Sequence, residues 1–214
     1  MDRRLLFAAV VIGTYFASVA AQQVRVLQPV DEAARNPDFL AFRNRLKEII
    51  AKRDSAALLE IVHPDIKIGF GGNDGIKAFR EEWKPHERAS MLWKELGDVL
   101  KLGGTFDGPS SFIAPYTFSR WPDAVDAFDF GAVTGARVRI RSAPSLNAAI
   151  IKTVSYEILE LAPDAKAVEG WTAVKLDATT AYINSRYIRS AVDYRAMFSF
   201  SEGRWRMVLF LAGD

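Results

Sequence analysis

The sequence predicts an α+β fold: an N-terminal helical and α+β segment, completed by a C-terminal β-hairpin, with a small all-β barrel inserted between them. Three observations lead there. Residues 36–102 carry four runs of helical apolar spacing around one short strand. Residues 138–188 carry strand-like alternation punctuated by Gly and Pro. Residues 194–211 read as a hairpin whose second arm is unbroken apolar from Met207 to Leu211, the composition of a strand buried on both faces. The expected divisions are 1–21, 36–130, 131–190 and 191–214.

The composition is that of an ordinary globular chain, 50% hydrophobic and 25% charged over 214 residues. A net charge of +2 provides no basic field suited to nucleic acid. There is no cysteine, which excludes disulfides, thiolate metal sites and a lipidated cysteine. Asp2-Arg3-Arg4 is a short basic start, and Leu5 to Ala20 is almost wholly apolar. Ser18-Val19-Ala20-Ala21 supplies small residues at cleavage spacing. A spanning helix needs about 20 apolar residues, and this run is shorter. Residues 1–21 therefore read as a cleaved signal peptide and the chain as exported, periplasmic or secreted. An uncleaved anchor is the alternative, and the only membrane contact it would supply.

Each element has a local cause. Asn36-Pro37-Asp38 starts a helix: Asn caps, Pro suits the first position and an acid favours the dipole. Phe39, Phe42, Leu46, Ile49 and Ile50 follow at helical spacing. Asp54 or Ser55 caps a shorter helix that Pro64 stops. Ile66, Ile68 and Phe70 alternate as a strand. Gly71-Gly72-Asn73-Asp74-Gly75 is a glycine turn rather than a phosphate loop. Counted from Gly69, Asp74 stands where G-x-G-x-x-G needs its third Gly. Asp74 then caps a helix carrying Ile76, Phe79 and Trp83. Another helix runs from Ala89 to Leu102 and ends at Gly103-Gly104. Phe112 to Phe118 is an edge strand or one with a bulge, because of Pro115. The order helix, helix, strand, helix, sheet, with Ala51-Lys52-Arg53-Asp54-Ser55-Ala56-Ala57-Leu58, resembles the start of NTF2-like α+β domains. The helix over 89–102 is an addition to that pattern.

Val138-Arg139-Ile140-Arg141 alternates, with Val138 and Ile140 inward and Arg137, Arg139 and Arg141 toward water. Ser142-Ala143-Pro144-Ser145 ends that strand, since Pro cannot continue a ladder. Ile150 to Leu161 is β-rich, Gly170-Trp171-Thr172-Ala173-Val174 starts another strand, and Ala181-Tyr182-Ile183-Asn184-Ser185-Arg186-Tyr187-Ile188 closes the segment. In this order the motifs resemble bacterial SH3 (SH3b) domains, with Ala181 where that family usually has Gly. The resemblance implies a closed SH3-like barrel over about 60 residues, a normal size for one. Related domains bind cell-wall peptides in some proteins and act as spacers in others. A groove in this barrel would be lined by aromatics, for which Tyr156, Trp171, Tyr182 and Tyr187 are the candidates. Arg139 and Arg141, with Arg186 and Arg189, would meet carboxylates of peptide stems. Core packing for the aromatics and a solvated basic face for the arginines are the plainer alternatives.

No catalytic constellation is visible. The chain has two histidines, His63 and His86, no Gly-x-Ser-x-Gly and no clustered ligand spacing. Glu81 and Glu82 are adjacent on a helix and diverge. The expectation is a non-catalytic envelope protein without cofactor or metal, binding peptidoglycan peptide or a protein partner, and not nucleic acid. The alternative is a small apolar ligand in a pocket lined by Phe70, Phe79, Trp83 and Trp93 of the N-terminal segment.

Overall fold

The computed structural model describes residues 25–177 and 179–213; the signal segment read at residues 1–21 lies outside the described residues. The fold is α+β. Helices α1 (Pro37–Lys52) and α2 (Ser55–Ile61) precede β1 (Val62–Lys67), followed by α3 (Gly75–Trp83) and α4 (Met91–Lys101). Strands β2 (Thr105–Phe106) and β3 (Ser111–Ala114) then lead into one helical turn, α5 (Tyr116–Ser119). An all-β stretch follows: β4 (Phe130–Val133), β5 (Val138–Arg141), β6 (Ile150–Val154), β7 (Ile158–Glu160), β8 (Trp171–Leu176), β9 (Thr179–Asn184) and β10 (Ile188–Ser190). The chain ends in β11 (Arg195–Ser201) and β12 (Arg204–Leu211). Among the described residues no helix is long and apolar enough to cross a membrane.

Helix starts follow the local chemistry closely. Asn36 Oδ1 accepts from Phe39 N at 3.0 Å and Asp54 Oδ1 from Ala57 N at 3.1 Å. Each satisfies an orphan donor of a first turn. Ser90 does the same for α4, with Leu92 N at 3.2 Å. Asp74 departs from expectation. It stands at the start of α3 but makes no cap bond there. Its carboxylate instead accepts from Ile68 N at 3.1 Å and Lys67 Nζ at 2.5 Å, so it braces the glycine turn.

The five-stranded sheet has the order β1-β12-β11-β3-β2. β1 runs parallel to β12 and the remaining pairs are antiparallel. Two of the three inner strands, β11 and β12, thus come from the C-terminus. They meet at a tight turn, Glu202 (φ 52°) and Gly203 (φ 76°), whose left-handed pair matches the twist of a hairpin. The strand expected from Ile66 to Phe70 lies earlier, at Val62–Lys67, and runs through Pro64. Parallel pairing of Val62 with Met207 and Lys67 with Leu209 sets that register. Pro64 is tolerated because β1 is the sheet edge. The strand expected to reach Phe118 stops at Ala114, followed by the cis peptide Ala114–Pro115 and α5.

The closed barrel is also corrected. The strands of 130–190 form a three-stranded sheet, β10-β4-β7, and a four-stranded sheet, β6-β5-β9-β8, not one continuous ladder. The breaks have local causes. Pro163 lacks the N–H that would extend β7, leaving the single bridge Leu161–Val174 toward β8. A 3-10 turn at Ser185–Tyr187 separates β9 from β10. The two sheets still share one apolar core, with Val133 and Leu159 from the first and Val138, Ile140, Val174 and Ile183 from the second.

Residues 25–32 tie this unit to the helical part. Ile158 N donates to Arg25 O and Leu27 N to Tyr156 O, both at 2.8 Å. Further along, Asp31 bridges to Gly104 and its carboxylate pairs with the buried Arg43 at 2.5 Å. The strap passes so near Gly103 (φ 66°) that a Cβ there would lie 2.6 Å from Val30 O, which requires glycine. Beneath the strap Leu27, Tyr116, Val125, Ala132 and Ile158 form a small third core.

Burial, with the Tyr156 phenol second, pushes the Tyr116 phenol up to about 12. An unfolded phenol ionises near pH ~10. Its contribution is therefore fully present below that pH and is lost as pH rises toward about 12. In an alkaline titration followed by phenolate absorbance, Tyr116→Phe is expected to remove the step at highest pH. Because the Tyr116 hydroxyl is buried without a side-chain or backbone partner, the same change is expected to raise stability at neutral pH by about 1 kcal/mol or more, since it removes an unsatisfied polar group.

Candidate functional site

The outer face of the four-stranded sheet carries a groove of about 350 Å³. Strand alternation builds its first wall. Val138 and Ile140 are buried, so Arg139 points outward and is exposed. Ala136, Arg137, Val138, Arg139 and Arg141 line the groove on this side, with Arg137 just before β5 in the left-handed region (φ 54°) and a bulge between Ile140 and Arg141. Arg141 was expected to face water; it is only 9% exposed. Its Nη1 donates to Ala148 O at 2.7 Å and pins the loop from Ser142 to Ala149. That loop closes on itself through Ser142 N to Ala149 O at 2.9 Å. It holds Leu146, 71% exposed, at the groove's edge.

The opposite wall comes from β8 and the turn after β9. Trp171 pairs in register with Asn184. Asn184 Oδ1 accepts from Arg186 N at 3.3 Å and so caps the 3-10 turn, leaving its amide NH2 as a donor. The turn presents Arg186 and Tyr187 together, the guanidinium 4.5 Å over the phenol ring. Four arginines (137, 139, 141 and 186) therefore meet two aromatics, Trp171 and Tyr187, in one groove. No carboxylate is among the described residues that line it.

Of the residues singled out in the sequence, the groove gathers Arg139, Arg141, Trp171, Arg186 and Tyr187. Tyr182 sits on the same sheet face, paired with Ala173 and Arg141, but outside the groove lining. Tyr156 lies elsewhere. It turns the chain between β6 and β7 with φ 57°, and its carbonyl holds the strap at Leu27. Arg189 donates to Tyr194 O at 2.6 Å, away from the groove. Leu146 and Asn184 were missed. The signals were present: an apolar residue inside a Ser/Pro/Asn loop, and an Asx cap ahead of a closing strand.

The aromatics of the helical part are not gathered around one opening. Phe79, Trp83 and Trp93 are buried in the main core, where Trp83 packs 4.8 Å from Phe210 and 5.1 Å from Tyr194. Phe70 is 61% exposed on the loop after β1. His63 Nδ1 accepts from Asp65 N at 3.1 Å, a local turn contact, and His86 is exposed beside Glu87. Among the described residues no three His, Asp or Glu side chains are placed to hold a metal ion. Comparison with protein-family models, with curated proteins and with solved structures finds no match.

Proposed function

We propose that this chain is an exported, non-catalytic recognition protein of the cell envelope, acting through an SH3b-like unit at residues 131–190. The groove that concentrates four arginines and two aromatics without an opposing carboxylate is the observation that carries this reading. Isolated like charges held together are unfavourable for the free protein and become favourable when an anionic partner arrives. Trp171 and Tyr187 add flat apolar contact at small entropy cost. Support for the SH3b-like assignment comes from the order of the strands, the Gly170-Trp171 strand start and the 3-10 turn before the closing strand. The helices against a five-stranded sheet support an NTF2-like partner unit that carries it. The ligand class is a peptide of the cell wall or a peptide segment of an envelope protein.

Retention on purified cell-wall sacculi tests the reading. The intact chain is expected to be retained, and Trp171→Ala is expected to lose most of that retention while keeping its circular dichroism spectrum. Retention that survives Trp171→Ala removes the groove from the account. A chain not retained, with no envelope protein crosslinked near Trp171, removes the function.

A further inference from the structure

The groove is charged within and apolar at its lip. Arg137, Arg139 and Arg186 are exposed, and among the described residues none of them has an ion-pair partner. A ligand held by them is anionic. The chemistry changes at the loop after β5. Leu146 lines the groove and is exposed, and Ile150, the β6 residue opposite Arg141, is half-exposed. Between these two, Asn147, Ala148 and Ala149 carry no charge. The loop is braced so that Leu146 stays out. Besides the bonds to Ala148 O and Ala149 O, Ala148 N donates to Ser145 O and Asn147 N to Ser145 Oγ, both at 3.2 Å. A solitary exposed leucine is ordinary on a protein surface. One held at the edge of a groove with unpaired guanidinium groups and two aromatics stands where a ligand's apolar side chain would cover it.

We propose that the groove selects an amphipathic peptide segment, its carboxylates taken by Arg137, Arg139 and Arg186 and a neighbouring large apolar side chain packed on Leu146 and Ile150. This rests on the groove being the recognition site. The guanidinium forks supply charge-assisted bonds to any acid. Leu146 supplies the selection, because only an apolar partner gains by leaving water against it. The concave shape favours a chain over a bilayer. Arg141 lines the groove yet is only 9% exposed, so a flat lipid surface does not reach it. Asn184, whose side-chain oxygen is taken by Arg186 N, keeps its amide NH2 for a peptide carbonyl.

Fluorescence anisotropy of the full chain with labelled, amidated peptides separates the apolar contact from charge. The first peptide carries Glu-Glu-Leu in a Gly/Ser frame, the second has Ser in place of the Leu, and the third keeps the Leu but has Gln in place of each Glu. The first is expected to bind about tenfold more tightly than the second, a difference that covering one aliphatic side chain supplies. The third is expected to bind more weakly than either. Leu146→Asn combined with Ile150→Thr, checked for unchanged circular dichroism, is expected to bring the first two to within about twofold of each other. Arg139→Ala is expected to weaken both acidic peptides and to keep their ratio. Equal affinity of the intact chain for the first two overturns the proposal, and so does a preference that survives the double variant. Binding that Arg139→Ala leaves unchanged, or a third peptide bound as tightly as the first, also overturns it. Binding to vesicles of phosphatidylglycerol and phosphatidylcholine without peptide binding overturns it in favour of a lipid surface. If sacculi still retain the chain through Trp171 while the peptides do not discriminate, only the amphipathic selection fails. If neither sacculi nor peptides bind, the recognition reading fails with it.

Discussion

A chain truncated after Ser190 is expected to lose the cooperative thermal transition of its helical half. The truncation removes β11 and β12, the second and third strands of the β1-β12-β11-β3-β2 sheet. β1 then has no strand partner, and β3 keeps only the two-residue β2. Phe198, Trp205, Met207 and Phe210 leave the core that α1, α3 and α4 cover. Buried side chains of that size contribute roughly 2–3 kcal/mol each, so the loss approaches the whole stability of a domain, about 5–15 kcal/mol. The core shared by the two smaller sheets draws only on residues between Val133 and Ile188, so a weaker transition from that unit should remain. Calorimetry with circular dichroism distinguishes the outcomes. A truncated chain that keeps native helical signal and its main cooperative transition would show that the final hairpin is dispensable.

Phe39→Ala is the single substitution with the largest expected effect. Phe39 is fully buried on α1 and its ring touches those of five other aromatics. The nearest are Phe112 at 4.2 Å and Trp205 at 4.8 Å, so one ring joins the first helix to β3 and to the final strand. Truncating such a side chain costs about 3–5 kcal/mol, because the transfer term and the cavity add. Phe200 is the control: it packs on Trp205 at 5.6 Å but is 41% exposed. Phe200→Ala should cost about 1 kcal/mol or less. Chemical denaturation of both variants checks the contrast, and similar midpoints would mean that the aromatic cluster yields without cost.

The helices were the most legible part of the fold, and Asn36 shows why. A cap, a Pro and an apolar repeat act within a few residues of one another, so their sum can be read without knowing what lies opposite. Asp74 shows the limit of that reading. The residue type and position suit a cap, yet Lys67 and Ile68, brought close by the glycine turn, attract its carboxylate first. In the site, Trp171 and Arg139 were legible as an aromatic strand start and an alternating basic strand. Leu146 and Asn184 left only local signals, a loop and an Asx cap, and their place beside the groove came from how that loop and turn fold back.

The sequence by itself determined the α+β class, the main helix starts and the alternation that puts Arg139 outward and Ile140 inward. These rest on interactions within a turn or along one strand, which the order of residues specifies directly. Tertiary structure alone decided that β1 runs through Pro64, that Arg141 folds inward onto Ala148 O, and that the small sheets do not close into one barrel. It also decided which aromatics share a groove. Strand register and loop closure depend on partners far apart in the chain, such as Val62 with Met207 and Trp171 with Asn184. Their energies appear only once the chain has brought those residues together.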